Sequence, residues 1–361
     1  MQSRMRLRHK EAMKKLLTKL NRKKQPEEPK GRITTDTLAE HREKVLAGGR
    51  KFKYPMQYAR HKLVINAIII GVAAVILLIV LGWYLLYPAQ NTSEFMYRVT
   101  KVIPVPVASV DGQPVRYSDY LMKYRSAEHY LVEKEQIDIK SEDGQRQLEF
   151  IKSEAIDDAV ADAYALKIAK QQGITVTDAE IESYLTTQRE QSGQSEATYN
   201  TVIEDYYGWS PEEYREVIKQ KLLRQKVAYA VDAPAKDTSE GITAKIEGGQ
   251  TDLKAIADTL STDEVGGVTY WAPVWVPKDN RDGGLAEAAG KLQKGQIASA
   301  IKTTSNNGYY FVKLLDSNAT SVQYEYLYVP LAQFDQTIET LQEDDKVTHY
   351  ISIEDISTQQ Q

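Results

Sequence analysis

The longest apolar stretch in the chain is Leu63–Tyr87, LVINAIIIGVAAVILLIVLGWYLLY, about 25 residues without a charge and with Asn66 as its one strongly polar position. A bilayer core needs roughly 20 apolar residues in a helix, and inside lipid a lone span satisfies its own backbone only as a helix. Trp83, Tyr84 and Tyr87 gather at its C-terminal end, where amphipathic rings favour an interface. The pattern predicts a transmembrane helix over 63–87. Before it, residues 1–62 form a basic tail, with a short helix expected over Thr35–Ala47 and stopped by Gly48-Gly49. After it, 88–104 reads as a linker.

The outer part changes period twice. Two short β-runs flank Asp111-Gly112, a hairpin signal because both residues tolerate positive φ. A helix follows from Ser118 or Asp119 toward Glu135, and a longer one from about Gly144 to Gln172. Leu148, Ile151, Ala155, Ala159, Ala163 and Leu166 recur at spacings of three and four on that helix, with Gly173 as its stop. Thr177-Asp178-Ala179-Glu180 and Ser210-Pro211-Glu212-Glu213 are capping boxes. Gln188–Ala197, between them, reads as the turn of a helical hairpin. From Asp232 onward the pattern becomes mixed. A short helix is expected over Leu253–Leu260 and another over Gly283–Leu292. Strands are expected over Thr269–Val276, Ser299–Thr303, Tyr309–Leu315, Val322–Val329 and His349–Ile353. In Val322–Val329 the alternation puts Tyr324, Tyr326 and Tyr328 on one face, and Glu325, Leu327 and Val329 on the other.

Charge gives the long apolar stretch a direction. Residues 1–62 hold 19 Lys+Arg against 6 Asp+Glu, and the remainder holds 27 against 44. Basic residues before a span orient the N-terminus toward the cytoplasm. The expectation is a single-pass protein of the cell membrane with its C-terminal part extracytoplasmic. The span is too long, and too far from the start, for a cleavable signal. Arg50, Lys51, Lys53, Arg60, His61 and Lys62 suit anionic headgroups. For residues 1–24 three roles stay open: a solvated topogenic tail, a membrane-surface helix, or contact with nucleic acid or ribosome. Nucleic acid is the least favoured partner. The chain has no cysteine, which excludes disulfides, thiol catalysis and lipidation at cysteine. Asn91 and Asn318 head N-glycosylation sequons of low specificity.

Two sets of motifs resemble a known family. Ala108–Val115 followed by a helix, Gly173–Ile181, and Trp209–Glu216 leading into Lys221-Leu222-Leu223 resemble, in order and spacing, the helical domain of SurA/PrsA-type extracytoplasmic chaperones. Leu253–Ala257 resembles the "FAELA" helix of a parvulin-type peptidyl-prolyl isomerase. Gly266–Trp271 resembles its "GGDLGW" turn, Leu292–Ile297 its "LKPGEI", and Asn307–Leu314 its "GYHIIKL". The resemblance implies a fold class: a transmembrane helix plus an extracytoplasmic α+β region. In it, a mostly helical chaperone domain (105–232) would be followed by a diverged parvulin-like α/β module (240–330) and a return segment with a polar tail (331–361).

The departures from the family are specific. No histidine falls in 233–330, Tyr310 stands where the family has one, and the first parvulin strand is missing before Ile242. Val322–Val329 resembles that strand displaced to the end. The expectation is a permuted sheet with Val322–Val329 beside Tyr310–Leu315 and Tyr326 in the histidine's place. The resemblance then implies Tyr310, Tyr326 and Asp263 as catalytic positions, with Glu264 an alternative acid, and Trp271, Trp275, Val276 and Leu285 as a proline pocket. Ordinary core is the competing reading of these aromatics. Tyr124, Tyr130, Tyr164, Tyr184, Tyr206, Tyr207 and Tyr214 would line a groove for extended clients or pack helices. The last strand would return to pair with Val107–Val110.

No Walker, G-x-S-x-G, H-E-x-x-H or Cys/His metal motif is present, so no cofactor or metal is expected. The expected function is a membrane-anchored foldase for secreted or surface polypeptides, with weak or lost isomerase activity. The alternative is a non-enzymatic scaffold or subunit of a secretion or cell-envelope complex reusing the fold.

Overall fold

The computed structural model describes residues 34–53, 55–260, 267–303 and 308–353. The chain forms two compact units that divide between Val80 and Leu81.

The first unit is helical. Helix α1 (Thr35–Lys53) runs straight through Gly48-Gly49, which had been expected to end it. Glycine costs about 1 kcal/mol in a helix interior, which weakens a helix without forcing it to stop. Helix α2 (Pro55–Leu86) contains the apolar stretch, and His61–Leu86 is long and apolar enough to cross a membrane. From Leu63 to Val80 every side chain is exposed. The basic run 1–24 lies outside the described residues.

Within the second unit, the chain turns back on itself as α2 ends. Ala89 N–H donates to the Tyr84 carbonyl and Asn91 N–H to that of Leu85, both at 2.9 Å. The expected linker 88–104 contains helix α3 (Glu94–Val102), started by Ser93, whose hydroxyl accepts from Met96 N–H, and it buries Met96, Tyr97 and Thr100. Strands β1 (Pro106–Val110) and β2 (Gln113–Arg116) form the expected hairpin, with Asp111 at φ 46° and Gly112 at φ 77°. Strand β7 (Val347–His349) returns to the other edge of β1, pairing Ala108 with His349 and Val110 with Val347. This is the expected closure, made two residues earlier than the apolar pattern suggested.

Helices α4 (Tyr117–Glu133), α5 (Glu142–Gln172), α6 (Asp178–Ser192), α7 (Glu196–Tyr207) and α8 (Pro211–Val231) follow. Both capping boxes are made, at Thr177/Glu180 and Ser210/Glu213, each cap contributing about 1 kcal/mol. Gly173 stops α5 at φ 68°. The polar stretch 188–197 narrows to a turn between α6 and α7, where Gly193 ends one helix and Ser195 caps the next. One core joins Val107, Val110, Val115, Tyr117, Tyr120, Leu121, Ile156 and Val160 to Leu86, Met96, Leu341 and Ile351.

Two further helices, besides α3, are absent from the sequence pattern. Helix α9 (Ala233–Glu247) is capped by Asp232 and buries Ala235, Ser239 and Ile242. Helix α12 (Gln333–Glu343) buries Phe334 and Leu341. Between them lie α10 (Leu253–Asp258), α11 (Leu285–Gly290) and a four-stranded antiparallel sheet. Its strands β3 (Thr269–Pro277), β4 (Ile301–Lys302), β5 (Gly308–Ser317) and β6 (Ser321–Pro330) stand in the order β3-β6-β5-β4. The expected pairing of β6 with β5 is present, with Tyr310 opposite Tyr328, Val312 opposite Tyr326 and Leu314 opposite Tyr324.

Both faces of this sheet are covered along β5 and β6, while β3 is mostly exposed. Tyr309, Phe311, Leu327 and Val329 pack against α9, α10 and the ends of α5 and α8. Tyr310, Val312, Leu314 and Tyr324 pack against Leu285, Ala286 and Ala289 of α11. The sheet therefore shares a core with the long helices. Asp232, 3% exposed, fastens the joint. Its Oδ1 accepts from Ala235 N–H (2.9 Å), and its Oδ2 from Ala332 N–H (2.7 Å) and Gln333 N–H (3.0 Å).

Candidate functional site

Two places carry concentrated side-chain chemistry. The first is the tyrosine face of the sheet. The central strand β6 presents Tyr326 between Trp271 on β3 and Tyr310 on β5. The Trp271 ring stacks on it at 5.8 Å and 11°, and Tyr310 lies 5.8 Å away on the other side. Tyr310 also packs on Tyr328 at 4.7 Å. The register thus brings Tyr310, Tyr326 and Trp271 together. Asp263 and Glu264 lie outside the described residues.

Two expected pocket residues depart from that role. Leu285 is 4% exposed, a core contact of α11 and not an open wall. Trp275 sits on the opposite face. A bulge lies between Trp271 and Val274, so Trp271 pairs with Tyr326 but Trp275 pairs with Gln323. One inserted residue reverses the alternation, and four residues of separation no longer means the same face. Val276 stays on the tyrosine face, opposite Val322.

Burial favours the protonated hydroxyls of Tyr324, Tyr326 and Tyr328. Burial raises the Tyr326 hydroxyl, with Tyr310 and Asp282 adding to the rise. Burial and the adjoining Tyr310 push Tyr328 up to about 12. Burial raises Tyr324 further, and its hydroxyl donates to Asp282 Oδ2 at 2.6 Å. Asp282 in turn accepts from Ala286 N–H at 3.0 Å, so this pair starts α11. On the other face Tyr270 donates to Glu325 at 2.7 Å, and Glu325 lies 3.4 Å from Lys313. No described histidine stands in the sheet region.

The second place is a cleft of about 370 Å³ between α3, α4 and the α7–α8 turn. Tyr207 and Trp209 line it, and their stack continues to Tyr214 outside the lining. Tyr207 lies on Trp209 at 5.0 Å and 16°, and Trp209 on Tyr214 at 6.1 Å and 24°. Trp209 Nε1–H donates to the Met122 carbonyl at 3.2 Å, which fixes the indole. Gly208 makes the turn at φ 66°, and a Cβ there would meet the His129 ring at 3.2 Å. His129 Nε2 lies 2.9 Å from the Asp205 carbonyl.

The walls of the cleft are charged. Lys101 Nζ and the Arg125 guanidinium lie 5.2 and 5.8 Å from the Tyr97 ring. Burial raises the Tyr97 hydroxyl, and its hydrogen bond to Glu213 raises it further. Burial would raise Glu213 too, but hydrogen bonds from Ser210 and Tyr97, with Lys101 nearby, hold it below the usual range. Arg98 pairs with Glu94.

The tyrosines expected to line a groove separate by position. Tyr124 is core, and Tyr214 bonds Tyr199 at 3.0 Å. Tyr164 packs on Phe334, and Tyr184 lies beneath Lys221. Tyr130, Tyr206 and Tyr207 are exposed beside the cleft. Sequence reasoning missed Tyr97, Arg98, Lys101, Arg125 and His129 as one site, because they come from segments that only tertiary packing joins. The available signal was Ser93-Glu94 as a helix start ahead of Met96, Tyr97 and Thr100.

A cleft of this size suits one or two side chains. It offers aromatic surface, cations at the rim and a carboxylate. No group of three His, Cys, Asp or Glu able to hold a metal occurs among the described residues.

Residues 56–228 match the model of the SurA-like N-terminal domain family. The match starts at the beginning of α2 and ends in α8, so it contains every cleft residue and stops short of the four-stranded sheet. Among solved structures, one comes from work on the virulence factor PEB4 and the periplasmic protein Cj1289 of Campylobacter jejuni, described as two structurally related SurA-like chaperones. It aligns at 15% identity and a TM-score of 0.23, covering 67% of this chain and 91% of that chain. No curated protein matches.

Proposed function

From the SurA-like N-terminal domain that residues 56–228 form, we propose that this chain is a membrane-anchored extracytoplasmic chaperone. Helix α2 would span the bilayer with the basic N-terminal tail in the cytoplasm, the cluster 50–62 against anionic headgroups, and residues 88–353 outside. Clients would be secreted or surface polypeptides in extended, partly folded form. The observation that carries this reading is the extent of the family match. Its bounds, 56–228, take in both the apolar helix and the helices that build the cleft, which supports reading them as one tethered binding device.

Exposed Tyr130, Tyr206 and Tyr207 give sequence-tolerant apolar contact, since tyrosine combines a flat apolar ring with a polar tip. Lys101 and Arg125 at the cleft would receive client carboxylates or aromatic rings. The test is suppression of aggregation of a chemically unfolded protein, followed by light scattering, with the full chain in lipid nanodiscs. Near-stoichiometric chain should delay aggregation, and Tyr207→Ala with Tyr206→Ala should weaken the delay several-fold. Aggregation kinetics equal to those with empty nanodiscs would overturn the reading. Copurification with one fixed partner, without aggregation suppression, would support the scaffold alternative.

For the sheet, the reading is a diverged parvulin-type module with its first strand supplied last, by β6. The strand order β3-β6-β5-β4 supports it, since β6 sits in the middle of the sheet although it is formed last. The filled tyrosine face favours lost over weak isomerase activity. Tyr310 is 4% exposed, and α11 covers the strands beside it.

A further inference from the structure

Helix α3 is apolar on two faces, and among the described residues only one of them is packed against a partner. Met96, Tyr97 and Thr100 point into the core. Phe95, Val99 and Val102 follow at spacings of four and three, which puts them on one stripe. Phe95 is 71% exposed and Val102 81%, and Ile103, just past the helix end, is 58% exposed. Glu94, Arg98 and Lys101 occupy the remaining sector. The helix therefore has a buried face, an open apolar face and a charged edge in which two cations outnumber one anion.

Its position is fixed by hydrogen bonds to the end of α2. Asn91 N–H bonds the Leu85 carbonyl, and the Asn91 side chain accepts from Ser93 N–H at 3.0 Å. Thus α3 starts beside the last turn of the apolar helix. Tyr117 donates to the Leu86 carbonyl at 2.7 Å, and Arg125 to that of Thr92 at 3.2 Å. Trp83 and Tyr84, on that same last turn, are more than half exposed.

We propose that Phe95, Val99, Val102 and Ile103 insert into the outer leaflet at the headgroup–acyl boundary, so that α3 is a second, interfacial membrane contact. The occupant is lipid because the start of α3 is hydrogen-bonded to the last turn of the helix proposed to span the bilayer, a reading this inference rests on. An amphipathic helix with basic residues on its polar side lies in that plane, and that side here carries Arg98, paired with Glu94, and Lys101, 3.7 Å from Glu213.

The natural absence of cysteine permits single-site labelling of the full chain. Phe95→Cys, Val102→Cys, Leu78→Cys and Gln171→Cys would each carry a nitroxide in liposomes of mixed zwitterionic and anionic lipid. Accessibility to oxygen and to a water-soluble nickel chelate is then compared. The proposal expects labels at 95 and 102 to favour oxygen, between the deep value at 78 and the aqueous value at 171. Labels at 95 and 102 that match 171, with 78 in lipid, overturn the contact and leave the anchor standing. A label at 78 exposed to nickel overturns both. Labels at 95 and 102 shielded from both reagents mean a protein covers the stripe, which also overturns the proposal.

Discussion

The Tyr117 hydroxyl donates a 2.7 Å hydrogen bond to the carbonyl of Leu86, 31 residues earlier and at the last position of the long apolar helix. Leu86 is itself 5% exposed and belongs to the core that holds Tyr117. The last turn of the apolar helix is therefore part of the second unit's core. Tyr117→Phe keeps the ring and removes the donor, leaving a buried carbonyl unpaired. The expected loss is about 1–3 kcal/mol, read as a lower unfolding midpoint in detergent, with the secondary structure at low temperature unchanged.

Asp232 joins the amide of Ala235 to those of Ala332 and Gln333, about a hundred residues further along the chain. Asp232→Ala should cost about 2–4 kcal/mol, combining a lost cap with two freed amides. Asp232→Asn should recover only part, because its amide nitrogen cannot accept from Ala332 and Gln333. Limited proteolysis should show faster cleavage near 331–333 in both variants. Equal cleavage rates would mean the joint does not depend on this carboxylate.

The carboxylate of Glu180 gives a pH test. The ion-paired hydrogen bond from Lys226, then the backbone and hydroxyl of Thr177, lower it to about 2. A folded value below the unfolded one means the stabilisation is fully present above the ordinary glutamate range near pH 4.5. It is lost as pH falls from there toward 2. The side chain is at the surface, so the effect is modest. Carbon-detected NMR should place the Glu180 midpoint near 2. Glu180→Gln should flatten the acid limb of stability between those pH values and leave the region above pH 5 parallel to wild type.

Prolyl isomerisation supplies a test of the tyrosine face. The uncatalysed barrier is about 18–20 kcal/mol, and the rings around Tyr326 are already packed on one another. The full chain should leave the isomerisation rate of a prolyl tetrapeptide within about twofold of buffer. A larger acceleration that Tyr326→Phe abolishes would restore catalysis to this module.

Where local chemistry set the structure, it could be read from the sequence. Thr177/Glu180, Ser210-Pro211-Glu213, Gly173 and Asp111-Gly112 act through groups within a few residues of each other, and each sits where its pattern placed it. Helices α3 and α9 were hidden for the opposite reason. Pro88, Pro234 and Gly241 give them the look of linkers, while burial of Met96, Tyr97 and Ile242 against distant segments makes them helices. The bulge before Val274 was equally silent, and it alone moved Trp275 off the tyrosine face. The β5–β6 pairing was foreseeable only through the resemblance of Val322–Val329 to a displaced parvulin strand, and in the register one tyrosine pair, Tyr310 and Tyr328, is directly opposed. The cleft was not foreseeable, because Tyr97, Arg125 and Trp209 meet only once the helices pack.

The small sheet β2-β1-β7 sets a schedule for the protein's own synthesis. Strand β1 leaves the ribosome early, yet its second neighbour, Val347–His349, emerges some 240 residues later. At about 5–20 residues per second, Val107 and its neighbours wait on the order of 10–50 seconds for that edge to close. Contacts of such separation slow folding. During that interval the free edge of β1 is open to pairing with other extended chains, so this protein is for a time itself an unfolded chain at the surface where it is proposed to receive them.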